Sequence, residues 1–163
     1  MLSFPRTLNE KAARTVAGVV MIAGVVILAT GWFWLLVPVA YGFAARVLAG
    51  PTFSPLAQFA TRVAAPRLGA PKMVSGPPKR FAQGLGFVMT TAAAVLALGF
   101  EATGAATVLV AFLIVAAGLE SLLAFCLGCK IFGLLMRAGV VPDEVCAECA
   151  DIWSRPGMAR ARP

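Results

Sequence analysis

Histidine is missing from this chain, and charged residues make up only 13% of its 163 positions. The first absence removes the commonest haem and quinone-site ligand and any Ser-His triad. The shortage of charge, with 60% hydrophobic residues and a mean hydropathy of +0.89, excludes an ordinary water-soluble domain. No phosphate-binding glycine loop is present. Period-two alternation is lacking as well, so the closed barrel is set aside and a helical bundle remains, because in hydrocarbon every backbone amide must be satisfied internally. The net charge of +7 does not point to nucleic acid, because the basic residues flank apolar runs instead of lining a polar groove with stacking rings. Met1 to Asn9 carries Arg6 but no apolar core with a small-residue cleavage site, so a retained first helix is expected in place of a cleaved signal.

What is present divides into four apolar runs. Thr7-Leu8-Asn9-Glu10 has capping-box spacing and opens a helix expected over Leu8 to Ala29. No charge separates Arg14 from Arg46, a stretch too long for one span of about 20 residues. Gly31 breaks it. A second helix is expected from Trp32 to Leu48, with Trp32 and Trp34 at an interface and a kink at Pro38. Pro77-Pro78 precedes a third span over Arg80 to Phe100, and a fourth runs from Gly104 to Phe125 and on as helix toward Arg137. Gly84, Gly86 and Gly118 suit close helix approach.

The segment from Arg46 to Arg80, which joins the second and third spans, holds six prolines, six cations (Arg46, Arg62, Arg67, Lys72, Lys79 and Arg80) and no acid. Neither Gly31 nor the turn near Glu101 carries a cation, so the positive-inside rule places this middle loop and both termini in the cytoplasm. Ser54-Pro55 starts a short helix with Leu56, Phe59, Ala60 and Val63 on one face, which reads either as an interfacial helix or as a cover on the bundle. The expected fold is all-α and integral to a membrane. It comprises a four-helix transmembrane domain over 1–137, with that short interfacial helix, and a cysteine-containing cytoplasmic tail over 138–163.

All four cysteines fall in two CxxC pairs, Cys126/Cys129 and Cys146/Cys149. A span of about 30 Å at 1.5 Å per residue brings the fourth helix to the surface near residue 124, so the first pair belongs at the boundary. Three readings stay open. The pairs form a redox relay, with Lys130 one turn after Cys126 favouring its thiolate; or all four thiolates bind one zinc, whose known spacings include this one; or the thiols are inert small hydrophobes. A cytoplasmic disulfide would be transient. Glu120 is the one carboxylate well inside a span, within reach of Gln83 or Arg80, and reads as an interhelical bond or a proton-transfer group. On a continuous helix it would point away from both thiols.

Phe4-Pro5-Arg6 with Asn9-Glu10, Gly50-Pro51 with Ser54-Pro55, Arg80-Phe81-Ala82-Gln83, and Leu119-Glu120 leading into Phe125-Cys126-Leu127-Gly128-Cys129 together resemble a bacterial membrane family catalogued as domain of unknown function 4395. The resemblance runs to Arg137 and implies a four-helix inner-membrane protein with a CxxC after its last helix, without an established reaction. A looser architectural similarity is to quinone-linked membrane thiol oxidases, which makes a quinone a weaker cofactor candidate than zinc. The resulting expectation is a membrane protein that exchanges disulfides or persulfides with a soluble thioredoxin-like or sulfurtransferase-like partner. The alternative is a scaffold, or a subunit of a larger membrane complex, with a zinc-held tail. A transporter is disfavoured by the scarcity of polar lining.

Overall fold

The computed structural model describes residues 7–142. Cys146 and Cys149, and with them most of the expected tail, lie outside the described residues. Among the described residues four helical segments are long and apolar enough to cross a membrane: Glu10–Thr30, Phe33–Thr52, Gly76–Gly99 and Thr103–Leu123. This is a multi-pass, all-α membrane architecture.

Helix α1 (Glu10–Thr30) packs antiparallel on α6 (Thr103–Leu123). Its inner face, Val16, Val20, Gly24 and Ile27, repeats at three- and four-residue intervals, as one stripe of a helix must. Small residues set the separation. A Cβ on Gly24 would stand 2.6 Å from Ile114 Cγ1, and one on Gly18 would stand 2.9 Å from Ser121 Oγ. Helix α2 (Leu36–Ala49), preceded by a tight turn at Phe33–Leu35, packs antiparallel on α5 (Gly76–Ala94), where Gly86 accepts the Phe43 ring. Gly118 lies against Met21, as its sequence position suggests, whereas Gly84 has open space. Ile22, Val25, Val37, Val88, Phe112 and Val115 face outward, which is the normal surface of a protein solvated by acyl chains.

Several expected boundaries shift for identifiable reasons. Thr7–Asn9 forms strand β1, antiparallel to β2 (Met73–Ser75). The cap of α1 is therefore Asn9, whose Oδ1 accepts from the Lys11 amide at 3.0 Å, and no Thr7–Glu10 capping box forms. Glu10 instead pairs with Lys72 at 2.7 Å. Pro38 falls in the first turn of α2, where amides lack intrahelical partners anyway, so it does not kink the interior. Pro77 and Pro78 likewise begin α5 instead of preceding it. The third helix thus starts four residues early and takes in Lys79.

The connection from α2 contains α3 (Pro55–Phe59), capped by Ser54 as expected, then a widened turn over Ala60–Ala64 and the short α4 (Ala65–Arg67). This segment covers α1. Ala57, Ala60 and Ala65 are its buried residues and Leu56 packs beside them, but Phe59 points outward.

The fourth span does not continue as one helix to Arg137. It ends at Ala124, which adopts a left-handed conformation (φ 55°) while its amide bonds to Leu119 C=O. Helix α7 (Leu127–Arg137) then starts on a new axis and lies on α5. Gly128 permits that contact, since a Cβ there would sit 2.6 Å from Ala82 Cα. Phe132 packs with Phe81 farther along. A left-handed conformation costs an L-residue about 1–2 kcal/mol. Ala124→Gly should therefore stabilise the fold by about 1 kcal/mol, and Gly128→Val should release α7 from α5. Thermal unfolding in detergent and protection of Phe132 amides from exchange would check the two effects.

Candidate functional site: a dithiol beside a buried ion pair

The antiparallel order brings the C-terminal ends of α2 and α6 to the N-terminal ends of α1 and α5, and α7 starts there too. Polar side chains that the apolar spans cannot place elsewhere converge at this end. Lys79 and Gln83 lie one turn apart on α5. Lys79 Nζ donates to Glu120 on α6, and the two side chains are only 8% and 14% exposed. Gln83 Oε1 accepts from Arg46 Nε on α2 at 2.7 Å. The Arg46 guanidinium stacks on Phe43 and reaches Ser54 Oγ at 3.5 Å, but its Nη2 has no hydrogen-bond partner among the described residues. Arg80 holds α5 to α2 through a 2.9 Å bond to Val47 C=O.

Cys126 caps the N-terminus of α7 with extended backbone. Its Sγ accepts from the Cys129 amide at 3.4 Å and from the Cys129 thiol at 2.7 Å. Hydrogen bonding from Cys129 pulls the Cys126 thiol below its ordinary pKa and is helped by Lys79, against opposition from burial and Glu120. Cys129 is pushed up, first because its thiol proton is engaged by Cys126 and second by burial. The pair is thus unequal: Cys126 is the readier thiolate and Cys129 the group that holds its proton. A helix N-terminus is an environment that favours a thiolate.

A cavity of about 270 Å³ runs from Cys126, Glu120 and Gln83 to apolar walls that include Val16, Phe43 and Leu113. The break at Ala124 removes the helical phase that would have turned Glu120 away from Cys126, and these two residues line one space. The expected interhelical bond of Glu120 is present, but its partner is Lys79; Gln83 is taken by Arg46. Lys130 is exposed over the Phe125 ring, 5.6 Å from its centroid. The side-chain cation that acts on Cys126 is Lys79. Lys79 was legible only as a loop charge, because two prolines hid the true start of α5; Arg46 fell inside the expected second helix but was counted with the cations of the loop. Among the described residues no three Cys, Asp or Glu side chains converge as metal ligands, and a four-thiolate zinc site would need Cys146 and Cys149.

The model of the family described as "Domain of unknown function (DUF4395)" matches residues 8–137, and the chain belongs to that family. The match takes in Cys126 and Cys129 and ends before Cys146. No curated protein and no solved structure matches the chain.

Alkylation should separate the two thiols. With Cys146 and Cys149 replaced by Ser, iodoacetamide should modify Cys126 first, with a midpoint below the usual thiol value of about 8.5. Cys129→Ala, which removes the donor, should move that midpoint upward. Mass spectrometry of peptides quenched across pH 5 to 10 would read both, and a midpoint unchanged by Cys129→Ala would refute the assigned cause.

Proposed function

We propose that the protein is a membrane dithiol carrier that exchanges disulfides, or in the same manner persulfide sulfur, with a soluble thioredoxin-like or sulfurtransferase-like partner. The observation that carries this reading is the Cys126–Cys129 contact at the cap of α7, beside the Lys79–Glu120 pair. An inert pair of small hydrophobes would need neither a capping sulfur nor a neighbouring ammonium group. Support for a cytoplasmic face comes from the cations at the thiol end, against only Glu101 among the charges around the opposite turns. Both termini then lie in the cytoplasm of a bacterial inner membrane.

In the relay, Cys146 and Cys149 are the outer pair. Their dithiol reduces a partner disulfide, releasing the partner's two thiols and leaving a Cys146–Cys149 disulfide. The Cys126 thiolate attacks one sulfur of that disulfide, and the other departs as a thiolate and takes up a proton. Cys129 then loses its proton and attacks Cys126 Sγ. A Cys126–Cys129 disulfide forms and the outer pair is again reduced. Two electrons have passed from the inner dithiol to the partner, and a reduced soluble dithiol reverses the sequence. For sulfur transfer, the Cys126 thiolate takes the terminal sulfur of a persulfide and the donor leaves as a thiolate, without net oxidation.

Cys129→Ser should accumulate a disulfide between Cys126 and the outer pair, and Cys149→Ser should hold a soluble partner through Cys146. Both are visible as peptides cross-linked by reducible bonds after acid quenching of cells. If neither variant yields a cross-link, thiol exchange is not the function.

A further inference from the structure

A second cavity, of about 290 Å³, lies between α1 and α2 under the α3 segment. Val20, Ala23, Pro38 and Tyr41 line its length, and Arg46 and Ser54 line its polar part. We propose that this groove holds one anionic glycerophospholipid of the surrounding bilayer, its phosphate on Arg46 and the upper part of an acyl chain between α1 and α2. This site is separate from the thiols and does not rest on the reading given for them.

Charge supplies the first argument. Arg46 is 6% exposed, and the groups it touches, Gln83, Ser54 and the Phe43 ring, are all neutral. The nearby carboxylate, Glu120, is already paired with Lys79. Among the described residues, two buried cations at this end of α5 therefore face one nearly buried acid, and Arg46 Nη2 has no hydrogen-bond partner. A buried cation with an unused donor calls for an anion that brings its own acceptor. Phosphate oxygens match the guanidinium fork.

Geometry selects an amphiphile from the membrane over a soluble anion. Pro38 and Arg46 are eight residues apart on α2, about 12 Å along the axis, with Arg46 at the loop end of the helix, where Ser54 of the connection meets it. The groove thus runs from a cationic surface level to an apolar interior, the order of groups in a leaflet lipid. Val19, Pro38 and Tyr41 on its rim are exposed on the outer face of the spans, so entry is sideways from the bilayer. A free phosphate would gain nothing from these apolar walls.

The test uses the full chain, stripped of lipid in mild detergent and titrated with dioleoyl phosphatidylglycerol, dioleoyl phosphatidylcholine, oleate or inorganic phosphate under native mass spectrometry. One phosphatidylglycerol should be retained per chain at roughly tenfold lower concentration than phosphatidylcholine, equivalent to about 1.4 kcal/mol. Arg46→Gln should abolish the preference, and the exposed-site variant Arg62→Gln should keep it. Ala23→Leu, which fills the groove and leaves Arg46 in place, should lose the bound lipid. Equal retention of the two phospholipids by the wild-type chain would overturn the site even if Arg46→Gln fails to fold. Oleate at least as tightly held as phosphatidylglycerol would make the occupant a fatty acid, and displacement by phosphate alone would show a headgroup site without a chain; either result overturns the phospholipid assignment. Loss in Arg62→Gln equal to that in Arg46→Gln would reduce the effect to general surface charge.

Discussion

The ion pair between Lys79 and Glu120 is the constraint from which the rest of this end of the molecule follows. Apolar spans can associate only through shape, because lipid chains offer no hydrophobic penalty to drive them together. A lysine and a glutamate on facing helices, each nearly buried, fix what shape alone leaves open: the rotation and depth of α5 against α6. Neither charge tolerates the loss of the other, since an unpaired buried ion costs several kcal/mol. With α5 set in this way, Gln83 one turn later must face α2, where it receives Arg46. Ala82 on the same helix presents the backbone on which Gly128 lies.

The second constraint is the stop at Ala124. Had α6 continued, Cys126 would have been one more residue on an outward-turning helix and its sulfur would have had no capping role. The left-handed residue turns the chain back onto the bundle. Cys126 becomes the first cap of a new helix, and its sulfur meets the amide and thiol of Cys129. The CxxC spacing does this chemically as well as geometrically: three residues after a cap is where a helix offers a free amide. The same spacing that allows a disulfide also lets one thiol donate to the other, and the resulting inequality leaves Cys126 the readier thiolate and Cys129 the proton holder.

The four spans, the Ser54 cap and the tight approaches at Gly86 and Gly118 were legible in the sequence because each depends on local composition: apolar length, a capping hydroxyl, a missing Cβ. Partners across the bundle were not. Glu120 was recognised as an interhelical group, but Lys79 was hidden because Pro77-Pro78 reads equally as the end of a loop or as the first turn of a helix. The pairing of Thr7–Asn9 with Met73–Ser75 was also invisible, since a three-residue strand has no periodicity to detect and exists only because its partner is held nearby. The break at Ala124 escaped for a related reason. Alanine is the best helix former, so nothing local signals a stop, and the turn is imposed by the fit of Gly128 against α5.

Arg46 and Cys126 approach the polar end from different helices, yet both are governed by one face of α5. Gln83 neutralises none of the guanidinium charge; its Oε1 only accepts a hydrogen bond from Arg46 Nε. Lys79, four residues earlier, is balanced by Glu120 and acts on Cys126 from the other side. The local count is therefore one positive charge in excess, within a low-dielectric region where charges at helix-packing distance are felt far more strongly than in water. A thiolate at Cys126 reduces that excess and disulfide formation restores it. An anion beside Arg46 acts in the same direction from the α2 side. The two features thus draw on the same local imbalance at this end of α5, where Arg46 and Lys79 stand against the single carboxylate of Glu120.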